Sequence, residues 1–196
     1  MEKKAVARAG RPRDENVHRA ILEAARNLIR DDGYASFSIE GVAARAGVAK
    51  QSIYRRWSSK GALLVDLYMD GLERPVPARA RGFASDLLDV LSQTTKRVQD
   101  PTYANILKSV VVEAQTDPDM RKIVLEKIVQ PRRDAAKVVI NRAIQSGELP
   151  DTADPEMIVD FLFGAIWFNL LLGDADFKLL ARRIVNMIEL LGSRRR

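Results

Sequence analysis

Cysteine is absent from the 196-residue chain, and histidine occurs once, at position 18. The first absence excludes disulfides and thiolate metal sites, and the second leaves no His cluster for metal binding and little scope for a His-dependent catalytic triad. His18 itself reads as an exposed or partly exposed residue on the first helix. Alternating strand-like runs are also missing, while Ala, Leu, Arg, Glu and Lys recur throughout. The longest uncharged apolar stretch, residues 161–173, is shorter than the roughly 20 residues needed to cross a bilayer. The N-terminal residues lack the apolar segment of a secretory signal, so a cytoplasmic location without membrane contact is expected. Asp117 and Asp119 flank Pro118 as at a helix start, and no metal site, cofactor site or catalytic residue is expected.

What is present is helical periodicity. Apolar residues at Val17, Ile21, Ala24, Ala25, Leu28 and Ile29 form one stripe of a helix over 14–31. Gly33 is suited to a left-handed cap behind it. Ser38 is a candidate N-cap for a second helix carrying Ile39, Val42, Ala43 and Ala46, and Gly47 breaks that helix. A third helix follows over about 49–57, and Ser58 or Ser59 opens a fourth that reaches Leu72. Residues 73–82 hold two prolines and a glycine and mark a junction. Further helices are expected over about 83–98, 103–114, 119–146, 155–172 and 176–191. Pro131 is expected to kink or break the seventh. The chain therefore reads as all-α with about nine helices: a flexible basic arm (1–13), a small N-terminal domain (14–72) and a larger helical body (73–196).

Charge is placed unevenly within a net +6. Residues 1–13 carry Lys3, Lys4, Arg8, Arg11 and Arg13 against Glu2, and no acid occurs between Glu40 and Asp66. Residues 38–57 place two short helices around Ala46-Gly47-Val48, the arrangement of a helix-turn-helix. The second of these helices presents N-terminal side chains to a major groove. Lys50, Gln51, Ser52, Arg55 and Arg56 are donors suited to base edges, Arg or Lys with guanine and Gln with adenine. Tyr54 and Lys60 suit phosphates, and Arg11 and Arg13 suit phosphates or the minor groove. A solvated basic helix in an ordinary bundle is the competing reading. The turn, the short helices and the basic arm favour DNA.

Residues 14–72 resemble the DNA-binding domain of the TetR family of bacterial transcriptional regulators. The resemblance rests on Asp32-Gly33-Tyr34, Ser38-Ile39, Val42-Ala43-Ala44-Arg45-Ala46-Gly47-Val48, Ile53-Tyr54 and Ser59-Lys60-Gly61-Ala62-Leu63-Leu64. Trp57 stands where many members have Phe, an exchange expected to be harmless. The resemblance implies that Lys50, Gln51, Ser52 and Arg55 face bases while Ser38, Tyr54 and Lys60 hold phosphates of double-stranded, palindromic operator DNA. It further implies a C-terminal domain that carries an effector pocket and a dimer interface. The eighth and ninth helices are apolar around much of their circumference, which fits a homodimer built through them. Tyr103, Leu107, Met120, Val124, Phe161, Trp167, Phe168 and Asn169 are candidates for lining a pocket for a small apolar or aromatic effector. The expected function is a sequence-specific repressor released from its operator by that effector. The alternatives are a ligand-independent activator or architectural protein, or a helical binding module that does not touch DNA.

Overall fold

The computed structural model describes residues 11–72 and 81–193, without the side chains of 11–13 and 191–193. The described residues fold into helices only: α1 (Arg11–Asp32), α2 (Ile39–Ala46), α3 (Lys50–Tyr54), α4 (Lys60–Met69), α5 (Phe83–Lys96), α6 (Pro101–Glu113), a long α7, α8 (Pro155–Leu171) and α9 (Phe177–Ser193). Short 3₁₀ turns at Tyr34–Ser36 and Arg97–Gln99 link neighbours. No helix among the described residues is long and apolar enough to cross a membrane.

Local chemistry explains most boundaries. Asp100, Asp117, Asp154 and Asp176 each accept backbone N–H bonds at the starts of α6 to α9, where the first turn leaves donors without partners. Asp117 thus caps a helix, as its place before Pro118 suggested. α1 begins at Arg11, three residues earlier than the expected arm boundary, so the backbone of Arg11 and Arg13 is helical and not part of a free arm. The arm residues 1–10 lie outside the described residues.

The expected break at Pro131 does not occur. α7 runs as Pro118–Val124, a π-helical turn at Leu125–Val129, and Gln130–Gln145. Pro131 has no N–H to offer the Lys127 carbonyl, and the helix absorbs this by widening one turn, in which the Gln130 N–H bonds to the Leu125 carbonyl.

The chain divides into two compact units, Met1–Leu67 and Tyr68–Arg196, so the division falls within α4. The expected junction at 73–82 lies mostly outside the described residues. In the first unit, Ile21, Ala25, Leu28, Val42, Ile53, Trp57 and Leu63 are buried. In the second, the core joins α5 (Leu87, Leu91), α7 (Ala136, Ile140), α8 (Val159, Leu162) and α9 (Ala181, Val185). One buried carboxylate belongs to that unit: Asp86 on α5, 2% exposed, accepts from Arg142 at 3.2 Å and from the Arg81 N–H at 3.3 Å.

Candidate nucleic-acid interface

The geometry of α2 and α3 follows from three short-range features. Ser38 lies in an extended conformation and its Oγ accepts the Gly41 N–H at 3.1 Å, which starts α2. Gly47 ends it at φ 65° and ψ 33°, the left-handed region where a side chain costs energy. The Gly47 N–H reaches the Ala44 carbonyl (3.3 Å) and the Val48 N–H reaches that of Ala43 (3.0 Å), closing a Schellman-type cap. Gly33, by contrast, has φ 77° with ψ 165°, a positive φ outside the left-handed helical region expected for it.

Close approach of α2 to α1 depends on Gly41, which the sequence alone did not single out. A Cβ there would meet Leu28 Cδ2 at 3.1 Å and Ser38 Oγ at 3.2 Å. Of the alanines on α2, Ala43 is buried, Ala46 is half-buried and Ala44 is exposed. Arg45 fastens the end of α2 to the end of α1 through Asp31 (2.7 Å) and Asp32 (3.4 Å).

α3 is held by its inner side and open on its outer one. Ile53 is fully buried and Trp57 is 5% exposed. A rotation of about 100° per residue sets Gln51 and Arg55 opposite Ile53 and Tyr54 to the side, and Lys50, Gln51, Tyr54 and Arg55 are all exposed. Ser52 sits on the flank, half-buried. Arg56, expected among the base readers, turns away from them. Its Nη1 donates to the Ser52 carbonyl at 2.8 Å, its Nη2 donates to Asp14, and only 12% of its side chain is exposed. A guanidinium so engaged ties α3 to α1. Lys60 is half-buried at the start of α4, with its ammonium 4.9 Å from the Tyr34 ring and 5.2 Å from the Phe37 ring. Ser59 caps that helix by accepting the Ala62 N–H at 3.1 Å.

The reading face carries an acid at its border. Glu40 Oε1 lies 2.6 Å from Lys50 Nζ, with both side chains more than half exposed. The bond from Lys50 holds the Glu40 carboxyl below its ordinary pKa, and the same bond raises that of Lys50.

Behind the face, Trp57 Nε1 donates to Asp66 Oδ2 at 2.9 Å. His18 stacks on Trp57 with ring centroids 5.0 Å apart and brings Nε2 within 3.6 Å of the same carboxylate oxygen. His18 is half-buried, and Trp57 does more than replace a Phe, because only its indole can donate to Asp66.

Residues 21–67 match the family model described as "Bacterial regulatory proteins, tetR family". Residues 79–188, more than half of the chain, match "Tetracyclin repressor-like, C-terminal domain". The chain belongs to the TetR family. It is 32% identical over 168 residues to the HTH-type transcriptional regulator YdeS of Bacillus subtilis, covering 85% of this chain and 84% of that one. It is 26% identical over 167 residues to the DNA-binding transcriptional repressor TetR of Mycobacteroides abscessus, covering 82% and 85% respectively. Among solved structures, the TetR-family transcription regulator SCO0332 shares 28% identity at a TM-score of 0.66, covering 89% of this chain and 97% of that one. The protein is a DNA-binding, helix-turn-helix transcriptional regulator of this family, and α2 and α3 form its helix-turn-helix.

Among the described residues, those expected to line one effector pocket border different grooves, lie in the core or stand exposed. Leu107, Met120 and Val124 are buried, and Trp167 packs against the core of the second unit. Tyr103 lines a groove of about 370 Å³ with Leu72, Lys96 and Arg97. Asn169 borders a different one of about 350 Å³ and gives its amide to the Ala165 carbonyl of its own helix. Phe161 and Phe168 are 68% and 62% exposed. α8 is apolar around much of its circumference, Glu156 and Asp160 being its acids, so spacing does not tell which apolar face the chain covers itself.

Proposed function

We propose that this TetR-family regulator acts as a homodimeric repressor. Its two α3 helices enter successive major grooves of a palindromic operator, and a small molecule taken up by the C-terminal unit releases it. The observation that carries the reading is the division of α3 into a buried side, Ile53 and Trp57, and an exposed, acid-free side of Lys50, Gln51, Tyr54 and Arg55. Arg55, Lys50 and Gln51 have the donors that read guanine and adenine edges, Ser52 reaches the bases from the flank, and Ser38, Tyr54 and Lys60 serve the phosphates. Repression is also what the name of the M. abscessus relative states for that protein.

The dimer is supported by an uncovered apolar face. Met157, Phe161 and Phe168 on α8, Leu172 just after it, and Met187 and Leu190 on α9 are each more than half exposed. Between the two helices runs a groove of about 430 Å³ lined by Met157, Phe161, Ile184 and Met187. Gly164, with open space where its Cβ would be, allows a partner helix to approach closely. A second copy placed about a two-fold axis buries this face in a self-complementary four-helix contact. Release then follows as a population shift toward dimers whose α3 helices are wrongly spaced for grooves that recur about every 34–36 Å. This work belongs to an intracellular regulator without enzymatic activity.

Selection of bound fragments from the host genome tests the reading. It expects a palindromic site, bound by a dimer and released by a metabolite of the neighbouring genes. Fragments of random sequence, or a site held unchanged by every such metabolite while transcription rises, would replace repression with architectural binding or activation.

A further inference from the structure

Arg132 and Arg133 are adjacent on α7 and have opposite surroundings. Arg133 pairs with Asp160 at 2.5 Å and Glu156 at 3.1 Å. Arg132 is 9% exposed, and no carboxylate among the described residues pairs with it. One of its five N–H donors reaches the Ile128 carbonyl in the π-helical turn at 2.5 Å, and its guanidinium lies 5.9 Å from the centroid of the buried Tyr68 ring. Burial pushes the Arg132 pKa down, partly countered by Tyr68, yet a guanidinium stays charged. Burial likewise pushes the Tyr68 phenol up, so it remains a neutral hydroxyl.

A buried cation without an anion is costly, because one carbonyl and one ring face do not replace the hydration of a guanidinium. The surroundings add positive charge. Arg97 stands 5.9 Å from the same Tyr68 ring and 3.8 Å from that of Tyr103, and Lys96 lines the groove beside it. Asp100 lines that groove too, but its carboxylate already caps α6 through the Thr102 N–H.

We infer that the C-terminal unit binds an organic anion, with its acid group on Arg132 beside Tyr68 and its apolar body along the buried side of α7. This rests on the proposal that the unit takes up an effector, and it replaces the neutral apolar effector expected from sequence with an acidic one. A carboxylate matches the guanidinium fork, and the interaction is strongest where water is excluded.

Decanoate and decanol, equal in length and different in charge, test it by titration calorimetry, melting and operator release on the full chain and on Arg132→Met. Decanoate is expected to bind the wild type at least about tenfold tighter than decanol and to raise its melting temperature. Arg132→Met is expected to bind the two equally and, unliganded, to melt no lower than wild type. Equal affinity of wild type for the two compounds, including no binding of either, would overturn the anion site, as would an acid preference undiminished in Arg132→Met. Should that variant not fold, Arg132→Gln serves the same comparison. Decanoate binding without operator release keeps the anion site and removes the effector reading. Equal release by both compounds keeps the effector and removes the anion.

Discussion

The two units of the chain use arginine in opposite ways. In the first, Arg55 stands exposed on a rigid helix and its charge is available to a partner, while Arg56, one residue later, is spent on Asp14 and the Ser52 carbonyl. In the second, the half-buried Arg133 is neutralised by two acids, and the buried Arg132 has none among the described residues. On the reading proposed above, neighbouring residues of one type divide into a structural and a recognising member, and the helical face decides the division: outward for a polyanion as large as DNA, inward for a ligand that must be enclosed.

The largest effect that would break this comparison concerns the face left uncovered by the second unit. Phe161→Glu sets a charge in the apolar groove and should cost more than about 2 kcal/mol of association, the scale of an interface hot spot. Sedimentation should show monomers, and operator affinity should fall with them. A variant that stays dimeric would move the interface elsewhere.

The next concerns the turn that aims α3. Gly47→Val puts a β-branched side chain at φ 65° and should destabilise the first unit by about 1–2 kcal/mol, read as a lower denaturant midpoint. Trp57→Phe keeps the buried ring but removes the donor to Asp66, and a loss of about 1 kcal/mol is expected; unchanged stability would show that the Trp57–Asp66 bond contributes nothing.

The smallest concerns the border acid. Glu40→Gln frees Lys50 and removes a negative charge from the reading face, so binding to random DNA should tighten and the salt dependence should steepen by about one phosphate contact. The sign for pH is fixed by the depressed Glu40 carboxyl: the Glu40–Lys50 pair is intact above the ordinary carboxylate range and is lost as pH falls through the lowered Glu40 value. DNA binding by wild type should therefore approach that of Glu40→Gln in acid.

Legibility in the sequence followed the range of the interactions. Ser38 and Gly47 were readable because a cap bonds within three to five residues, and the exposed face of α3 followed from Ile53 and the helical repeat. Gly41 against Leu28, and His18 with Trp57 and Asp66, join positions 9 to 48 residues apart, and no local pattern records them. Pro131 announced a disturbed helix but not its form, because one missing N–H can be absorbed by widening a single turn. The second unit was hardest to read. Tyr68 and Arg132 come together only through the tertiary fold, and a largely apolar α8 hides which side the chain leaves uncovered.

The central claim, that the outer face of α3 selects sequence while its inner side and Arg56 serve the fold, is tested most directly by titrating operator and scrambled DNA against wild type, Arg55→Ala and Arg56→Ala at one salt concentration. Arg55→Ala should lose about 1–3 kcal/mol on the operator and little on scrambled DNA, with an unchanged melting temperature. Arg56→Ala should melt lower yet keep the wild-type preference. An Arg55→Ala variant that binds and discriminates like wild type, or an Arg56→Ala variant that loses selectivity while melting normally, would contradict the account.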